Sequence, residues 1–235
     1  MTSRAGQGKR DADMFPPDAI LFYLDGTLVD SERENVESVV LAARRWGAEL
    51  SADERDFVIG HSWNEIHARI VDNHRLDVSM AALIEAAVEE KRGLLAAGYR
   101  ALAGAVAAVR RLGRRSRLAV VSGASHGEVD DALASLGVSD AFVFVMGAED
   151  YPRGKPAPDP YALAMQRLGA APDRTVVLED ATPGIASALA AGARVVGVRA
   201  GNFSGYDLSA AHVVVDTLDE VTDELVAELV AGSAA

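Results

Sequence analysis

The sequence predicts an α/β protein: a doubly wound parallel sheet carrying an inserted helical subdomain. Three observations carry this. Short, continuous apolar runs of strand length recur along the chain, the first being Ala19–Leu24. Helical patterns separate most of them, and strand–helix alternation at this spacing implies βαβ units. One long block, residues 31–98, breaks the alternation and shows helical pattern alone.

Residues 1–17 are polar, carry Arg4, Lys9 and Arg10 and lack an apolar stretch, so they read as a flexible tail and not as a signal peptide. Ala19–Leu24 then reads as a buried strand, ended by the turn signal Asp25-Gly26-Thr27. Strands that are apolar on both faces belong to parallel sheets covered on both sides. Val36–Trp46, Trp63–Val71 and Met80–Leu95 are amphipathic helical patterns within the inserted block. Further strands are predicted at Leu118–Val121, Ala141–Val145, Thr175–Leu178, Arg194–Val198 and His212–Val215. Helices are predicted at Leu102–Leu112, Glu128–Leu136, Asp159–Leu168, Pro183–Ala191 and Leu218–Val230. The domain reading is therefore an α/β core over 18–30 and 99–235 with a helical subdomain over 31–98, hinged near Asp30–Asn35 and Ala96–Leu102.

Composition narrows the function classes. The net charge of −12 argues against nucleic acid as a partner, which would need a basic face. No apolar stretch approaches the roughly 18 residues of a membrane span, so no membrane partner is expected. There are no cysteines, which removes disulfides and thiolate metal sites and suits a reducing cytoplasm. Lysine is rare, three against twenty arginines.

Ligands of open α/β sheets bind outside the carboxyl ends of the strands. The polar residues there are Asp25, Gly26, Thr27 and Asp30 after the first strand, Ser122 and Gly123 after the second, and Glu179 and Asp180 after the fourth. Lys155 precedes the helix that feeds the fourth strand. Each has a structural alternative: Asp25-Gly26 as a turn, Ser122 as a helix cap, Glu179-Asp180 as loop carboxylates ahead of Thr182 as N-cap with Pro183 at the first helical position. Taken together they place carboxylates, a hydroxyl and an ammonium at one end of one sheet. Oxygen-only ligands of this type suit Mg²⁺, and metal, lysine, hydroxyl and backbone N–H groups are the parts of a phosphoryl-transfer site.

Four segments then occur in order: Leu21-Phe22-Tyr23-Leu24-Asp25-Gly26-Thr27-Leu28-Val29-Asp30-Ser31, Val120-Val121-Ser122-Gly123, Gly154-Lys155-Pro156-Ala157-Pro158-Asp159-Pro160, and Val177-Leu178-Glu179-Asp180-Ala181-Thr182-Pro183-Gly184-Ile185. From about Ala19 to Val230 the chain resembles the haloacid dehalogenase superfamily, in its β-phosphoglucomutase-like and phosphoglycolate phosphatase-like branch. The resemblance implies a Rossmann-like core with a mobile helical cap and hydrolysis of a small phosphorylated metabolite through an aspartyl-phosphate. It implies Asp25 as general acid/base and backbone-carbonyl ligand of Mg²⁺, Asp180 and Glu179 as metal residues, and Ser122, Gly123 and Lys155 as phosphate anchors. It places His61, Ser62 and Trp63 on the substrate-facing stretch of the cap; Trp63 stands where the mutases carry an arginine. A monomer or weak dimer is expected.

One position departs from the pattern. The family's nucleophilic aspartate, which also binds the metal, corresponds here to Tyr23, and Asp25-Gly26-Thr27-Leu28 fixes the register. A phenol has an ordinary pKa of about 10 and its oxygen lies farther from the backbone than a carboxylate's. The alternatives to a phosphatase are a catalytically silent phosphate-binding or regulatory pseudoenzyme and a β-phosphoglucomutase-like phosphotransferase. A signalling receiver domain is about half this length and lacks the insert. The histidines His67, His74, His126 and His212 show no ligand spacing, and neither a dinucleotide-binding glycine loop nor a P-loop is present.

Overall fold

The computed structural model describes residues 16–59, 61–202 and 205–232; residues 1–15 of the predicted tail, and Gly60, lie outside the described residues. The chain divides into two compact units, the first made of the segments up to Val29 and from Ala101 onward, the second of Asp30–Arg100.

The first unit is built on six strands: β1 (Ala19–Phe22), β4 (Arg117–Val121), β5 (Phe142–Met146), β6 (Thr175–Glu179), β7 (Arg194–Val198) and β8 (Val213–Val215). They run in the order β5-β4-β1-β6-β7-β8, every neighbouring pair parallel. Register places Leu21 beside Ala119 on one side and Val177 on the other. All four residues of β1 are fully buried, as expected of a central parallel strand whose residues face helices on both sides. The helices of this unit are α5 (Ala105–Leu112), α6 (His126–Ser135), α7 (Asp159–Leu168), α8 (Thr182–Ala190) and α9 (Asp223–Ala231). Because β4, β1 and β6 are adjacent, the loops that follow them open side by side at one edge of the sheet.

The second unit holds four helices, α1 (Glu32–Arg44), α2 (Ala52–Val58), α3 (Trp63–His74) and α4 (Met80–Leu94). Val39, Val40, Ile66, Ile70 and Leu83 form its separate apolar core. All four of its helices follow a serine, and in three the serine caps the helix with its side chain: Ser51 and Ser62 form capping boxes with Glu54 and Glu65, and Ser79 accepts from the Ala82 N–H. Two two-residue strands, β2 (Val29–Asp30) and β3 (Arg100–Ala101), pair as a small separate sheet. Among the described residues no helix is long and apolar enough to cross a membrane.

Three sequence expectations shift. The helix expected from Leu102 begins at Ala105, because Gly104, at φ 77°, turns the chain into it. The helix expected over Leu218–Val230 splits into a 3₁₀ turn, Leu218–Glu220, and α9, because the Thr222 hydroxyl accepts from the Leu225 N–H at 3.1 Å and starts the helix afresh. Thr182 is not an N-cap: it is the first residue of α8, Ala181 precedes it and Pro183 is second. Its hydroxyl donates instead to the Asp207 carbonyl at 2.9 Å.

Glu54 ties the helical unit together and makes it acid-sensitive. Its carboxylate accepts from Ser51 N–H and hydroxyl, each at 2.8 Å, from Asn73 at 2.9 Å, and meets His74 Nε2 at 3.0 Å. Burial alone would raise its pKa, but the hydrogen bonds from Asn73, Ser51 and His74 outweigh it and bring the carboxyl down from 4.5 to about 2. A folded-state value below the unfolded one adds stability that is complete above about 4.5 and is lost as pH falls toward 2. Thermal melts at pH 5 and pH 3 should therefore show a larger drop for the parent chain than for Glu54→Gln, which starts lower. Parallel drops in the two proteins would contradict this role for Glu54.

Candidate active site

The carboxyl ends of β1, β4 and β6 bring most of the predicted residues together. Tyr23 follows β1 directly, and its N–H donates to the Leu178 carbonyl at 3.1 Å, so it still lies against the neighbouring strand. The chain then turns sharply. Leu24 O accepts from the N–H groups of Thr27, Leu28 and Val29, and the Gly26 N–H reaches the Val29 carbonyl at 2.8 Å. Gly26 needs its freedom: its φ is 81°, and a Cβ there would lie 2.1 Å from Asp180 Oδ2. The Asp25–Thr27 turn thus abuts the Asp180 carboxylate, to which the buried Thr27 hydroxyl donates at 3.4 Å.

Ser122 follows β4 and is fully buried. Its N–H donates to the Met146 carbonyl at 3.0 Å, its hydroxyl accepts from the Ala124 N–H at 3.1 Å, and its carbonyl accepts from the Tyr151 hydroxyl at 2.7 Å. It does not cap α6; Ser125 does. Gly123 beside it is exposed.

Glu179 ends β6, and its carboxylate is saturated. Oε1 accepts from Lys155 Nζ at 2.5 Å and from the Tyr161 hydroxyl at 2.7 Å; Oε2 accepts from the N–H groups of Asp180 at 3.1 Å and Ala181 at 3.2 Å. Gly184 allows this packing, since a Cβ there would fall 1.9 Å from Glu179 Oε1. Lys155 reaches into the site from the loop before α7. Its ammonium also donates to the Val121 carbonyl at 3.4 Å, and lies 3.7 Å from the centroid of the Tyr23 ring and 4.8 Å from that of Tyr161.

The electrostatics follow from this crowding. Burial drives the Tyr23 phenol well above its ordinary value, and the negative charges of Asp25, Asp180 and Glu179 add to the effect. Tyr23 is therefore a neutral phenol at any physiological pH. Burial likewise raises Tyr161, reinforced by Glu179, and pushes Tyr151 up to about 12. Burial lowers Lys155 in spite of the Glu179 carboxylate. Asp180 is held well above the carboxylate range by burial and by Glu179, with Lys155 opposing. The pocket is rich in carboxylates and has one ammonium to offset them.

The donors stop short of a complete metal site. Among the described residues no three histidine, aspartate or glutamate side chains converge as ion ligands. Glu179 spends its lone pairs on Lys155, Tyr161 and backbone N–H groups, and the strand position that would supply another carboxylate holds the neutral Tyr23. As the residues stand, they do not fit Mg²⁺.

His61, Ser62 and Trp63 belong to the helical unit. Ser62 caps α3, with its hydroxyl 2.7 Å from Glu65 Oε2. Trp63 packs against that unit's apolar core. The exposed His61 stacks on Phe57 with ring centroids 3.7 Å apart. Of the other histidines, His67 meets the Val78 carbonyl at 2.8 Å, His74 meets Glu54, His126 meets Asp150 at 2.5 Å, and His212 Nδ1 accepts from the Val195 N–H at 3.1 Å. Sequence reasoning placed Thr27 at this sheet edge but missed Tyr151 and Tyr161 as parts of the site. A tyrosine on the buried face of α7 reads as packing, and its one signal is that a buried hydroxyl needs a partner.

A family model described as haloacid dehalogenase-like hydrolase matches residues 20–198. The fructose-1-phosphate phosphatase YqaB of Escherichia coli is 30% identical over 180 residues, 77% of this chain and 95% of that protein. Hexitol phosphatase A of the same organism is 35% identical over 195 residues, 77% of this chain and 82% of that protein. Among solved structures, CbbY from Rhodobacter sphaeroides in complex with phosphate superposes with a TM-score of 0.77 at 25% identity, covering 87% of this chain and 96% of that one.

The buried ion pair should dominate local stability. Lys155→Met leaves Glu179 buried without its counter-charge and should cost about 3–5 kcal/mol. Tyr161→Phe removes one neutral donor and should cost about 1–3 kcal/mol. Urea unfolding of the variants measures both. A Lys155→Met protein as stable as the parent would show that the pair does not hold the site.

Proposed function

Because the chain belongs to the haloacid dehalogenase-like hydrolase family, whose model matches most of it, we propose that it recognises a small phosphorylated carbohydrate on a phosphatase scaffold whose covalent step is blocked at residue 23. One observation carries the reading: the Tyr23 ring lies 3.7 Å from Lys155 Nζ, at the position where the resemblance has the nucleophilic aspartate. The substrate class rests on relatives named for fructose 1-phosphate and hexitol phosphates.

In this reading Ser122, the exposed backbone at Gly123 and Lys155 take the phosphate oxygens, and Asp25 is the acid/base that would serve the leaving group. Tyr23 fails as nucleophile on two counts. Its phenol is neutral, so its oxygen is weakly nucleophilic. Its oxygen also lies several bonds beyond where a carboxylate oxygen would stand, which forfeits in-line placement. Losing one member of a catalytic group typically costs about 10⁴-fold or more. Family members use Mg²⁺; here Asp180 and the Asp25 carbonyl are the donors that would be offered to it, because Glu179 is spent on Lys155, Tyr161 and backbone N–H groups. The helical unit occupies the place in the chain where the resemblance puts the cap, and we assign to it the choice among phosphorylated compounds. The mutase alternative is disfavoured, because Trp63 offers no charge to grip a second phosphate.

Hydrolysis of fructose 1-phosphate, hexitol phosphates and phosphoglycolate tests this, with kcat/KM measured for the parent chain and Tyr23→Asp, each with Mg²⁺ and with EDTA. The parent should be slow or silent. Tyr23→Asp should gain at least about 10³-fold, in a metal-dependent manner, in line with the usual cost of a lost catalytic group. A parent chain that is already fast and metal-dependent would overturn the reading. An inactive but folded and metal-loaded Tyr23→Asp would show that the block extends beyond residue 23.

A further inference from the structure

The opposite end of the same sheet carries a cluster that the chemistry above does not use. Five arginines fall between positions 110 and 117, in a chain whose net charge is −12. Three of them, Arg114, Arg115 and Arg117, line a cavity of about 690 Å³ together with Arg174, Asp18 and Ser116. Arg117 opens β4, Arg174 precedes β6 and Asp18 precedes β1. The cavity therefore lies at the amino ends of the same three strands whose carboxyl ends carry the candidate active site.

Two of the arginines are fixed. Arg174 Nε donates to Asp18 Oδ1 at 2.9 Å and its Nη2 to the Pro16 carbonyl at 2.6 Å; Arg117 Nε donates to the Asp18 carbonyl at 3.1 Å and its Nη1 to the Leu168 carbonyl. These bonds hold both side chains across the cavity wall. Arg114 and Arg115 are exposed. Among the described residues, Asp18 lines the cavity and is bonded to Arg174, and Glu224, outside its lining, lies in the field of Arg115 and Arg111. Among the described residues that line the cavity, four guanidiniums stand against the one carboxylate of Asp18, which leaves it positively charged.

We infer that this cavity binds a compact polyphosphate anion, either free pyrophosphate or the diphosphate or triphosphate end of a nucleotide. Guanidinium groups match phosphate oxygens with two parallel hydrogen bonds, and several of them around one concavity select a multiply charged anion. The volume falls within the roughly 300–1,000 Å³ of small-molecule sites. A single phosphate carries too little charge to engage all four arginines. An extended nucleic acid would meet the acidic remainder of the surface.

Calorimetric titration of the whole chain at 150 mM salt with pyrophosphate, ATP and inorganic phosphate tests this. Pyrophosphate, ATP or both should bind at least tenfold more tightly than inorganic phosphate; which of the two binds tells the free anion from the nucleotide. Arg114→Glu and Arg115→Glu should each weaken that binding at least tenfold. Arg92→Glu, the same charge change at an exposed position of α4, should alter it less than twofold. Circular dichroism checks that each variant is folded. No binding of pyrophosphate or ATP at millimolar concentration, or binding that survives both cavity variants, would overturn the inference, the second outcome placing the anion elsewhere on the protein.

Discussion

The buried contact between Lys155 and Glu179, at 2.5 Å, is the constraint on which the rest of the site depends. An ammonium and a carboxylate taken out of water each lose hydration worth several kcal/mol, and close contact with further hydrogen bonds must offset the loss. Here Tyr161 and two backbone N–H groups complete the carboxylate's partners. The surrounding chain conforms to the pair. Gly184 lacks a side chain because Glu179 fills the space, and Gly26 lacks one because Asp180 does. The two glycines and the two carboxylates interlock the turns after β1 and β6, which fixes Asp25 and Tyr23 relative to the lysine.

The same constraint sets the chemical character of residue 23. A side chain directly after β1 lies in the field of Asp25, Asp180 and Glu179 and against one ammonium. An aspartate there would need a cation between itself and its neighbours. A tyrosine needs none: its neutral ring lies on the lysine, exchanging hydration of the ammonium for the electrons of the ring face, and its hydroxyl stays protonated because burial and the carboxylates both oppose ionisation. Residue 23 thus accounts at once for a donor set that is one carboxylate short and for a missing nucleophile. One substitution removes both the group that would attack phosphorus and the group that would help hold the ion.

Much of this was legible in the sequence because it rests on local rules. Strands that are apolar on both faces predict a parallel sheet, and β1, β4, β6 and β7 fall within a residue or two of the apolar runs. Asp159–Leu168 is a helix over the whole predicted span. The grouping of Asp25, Ser122, Lys155, Glu179 and Asp180 at one sheet edge follows from where strands end. Other features had no periodic signal. Two-residue strands β2 and β3 are too short to show alternation. Helix α2 spans seven residues, four of them charged, and betrays itself only by the Ser51-x-x-Glu54 capping box. Contacts set by packing were the least visible: no sequence rule places the Tyr161 hydroxyl on Glu179, or brings Arg174 and Asp18 to the arginine run at 110–117.

Residue 23 is a neutral ring against Lys155 and not a reactive phenolate. Ultraviolet difference titration of the parent chain against Tyr23→Phe isolates that one phenol. Its ionisation signal should be absent at pH 10, where an exposed tyrosine is about half ionised. A phenolate signal from residue 23 at or below pH 10 would contradict the account, since it would require the lysine or a bound cation to stabilise a charged, nucleophilic oxygen at the position of the missing aspartate.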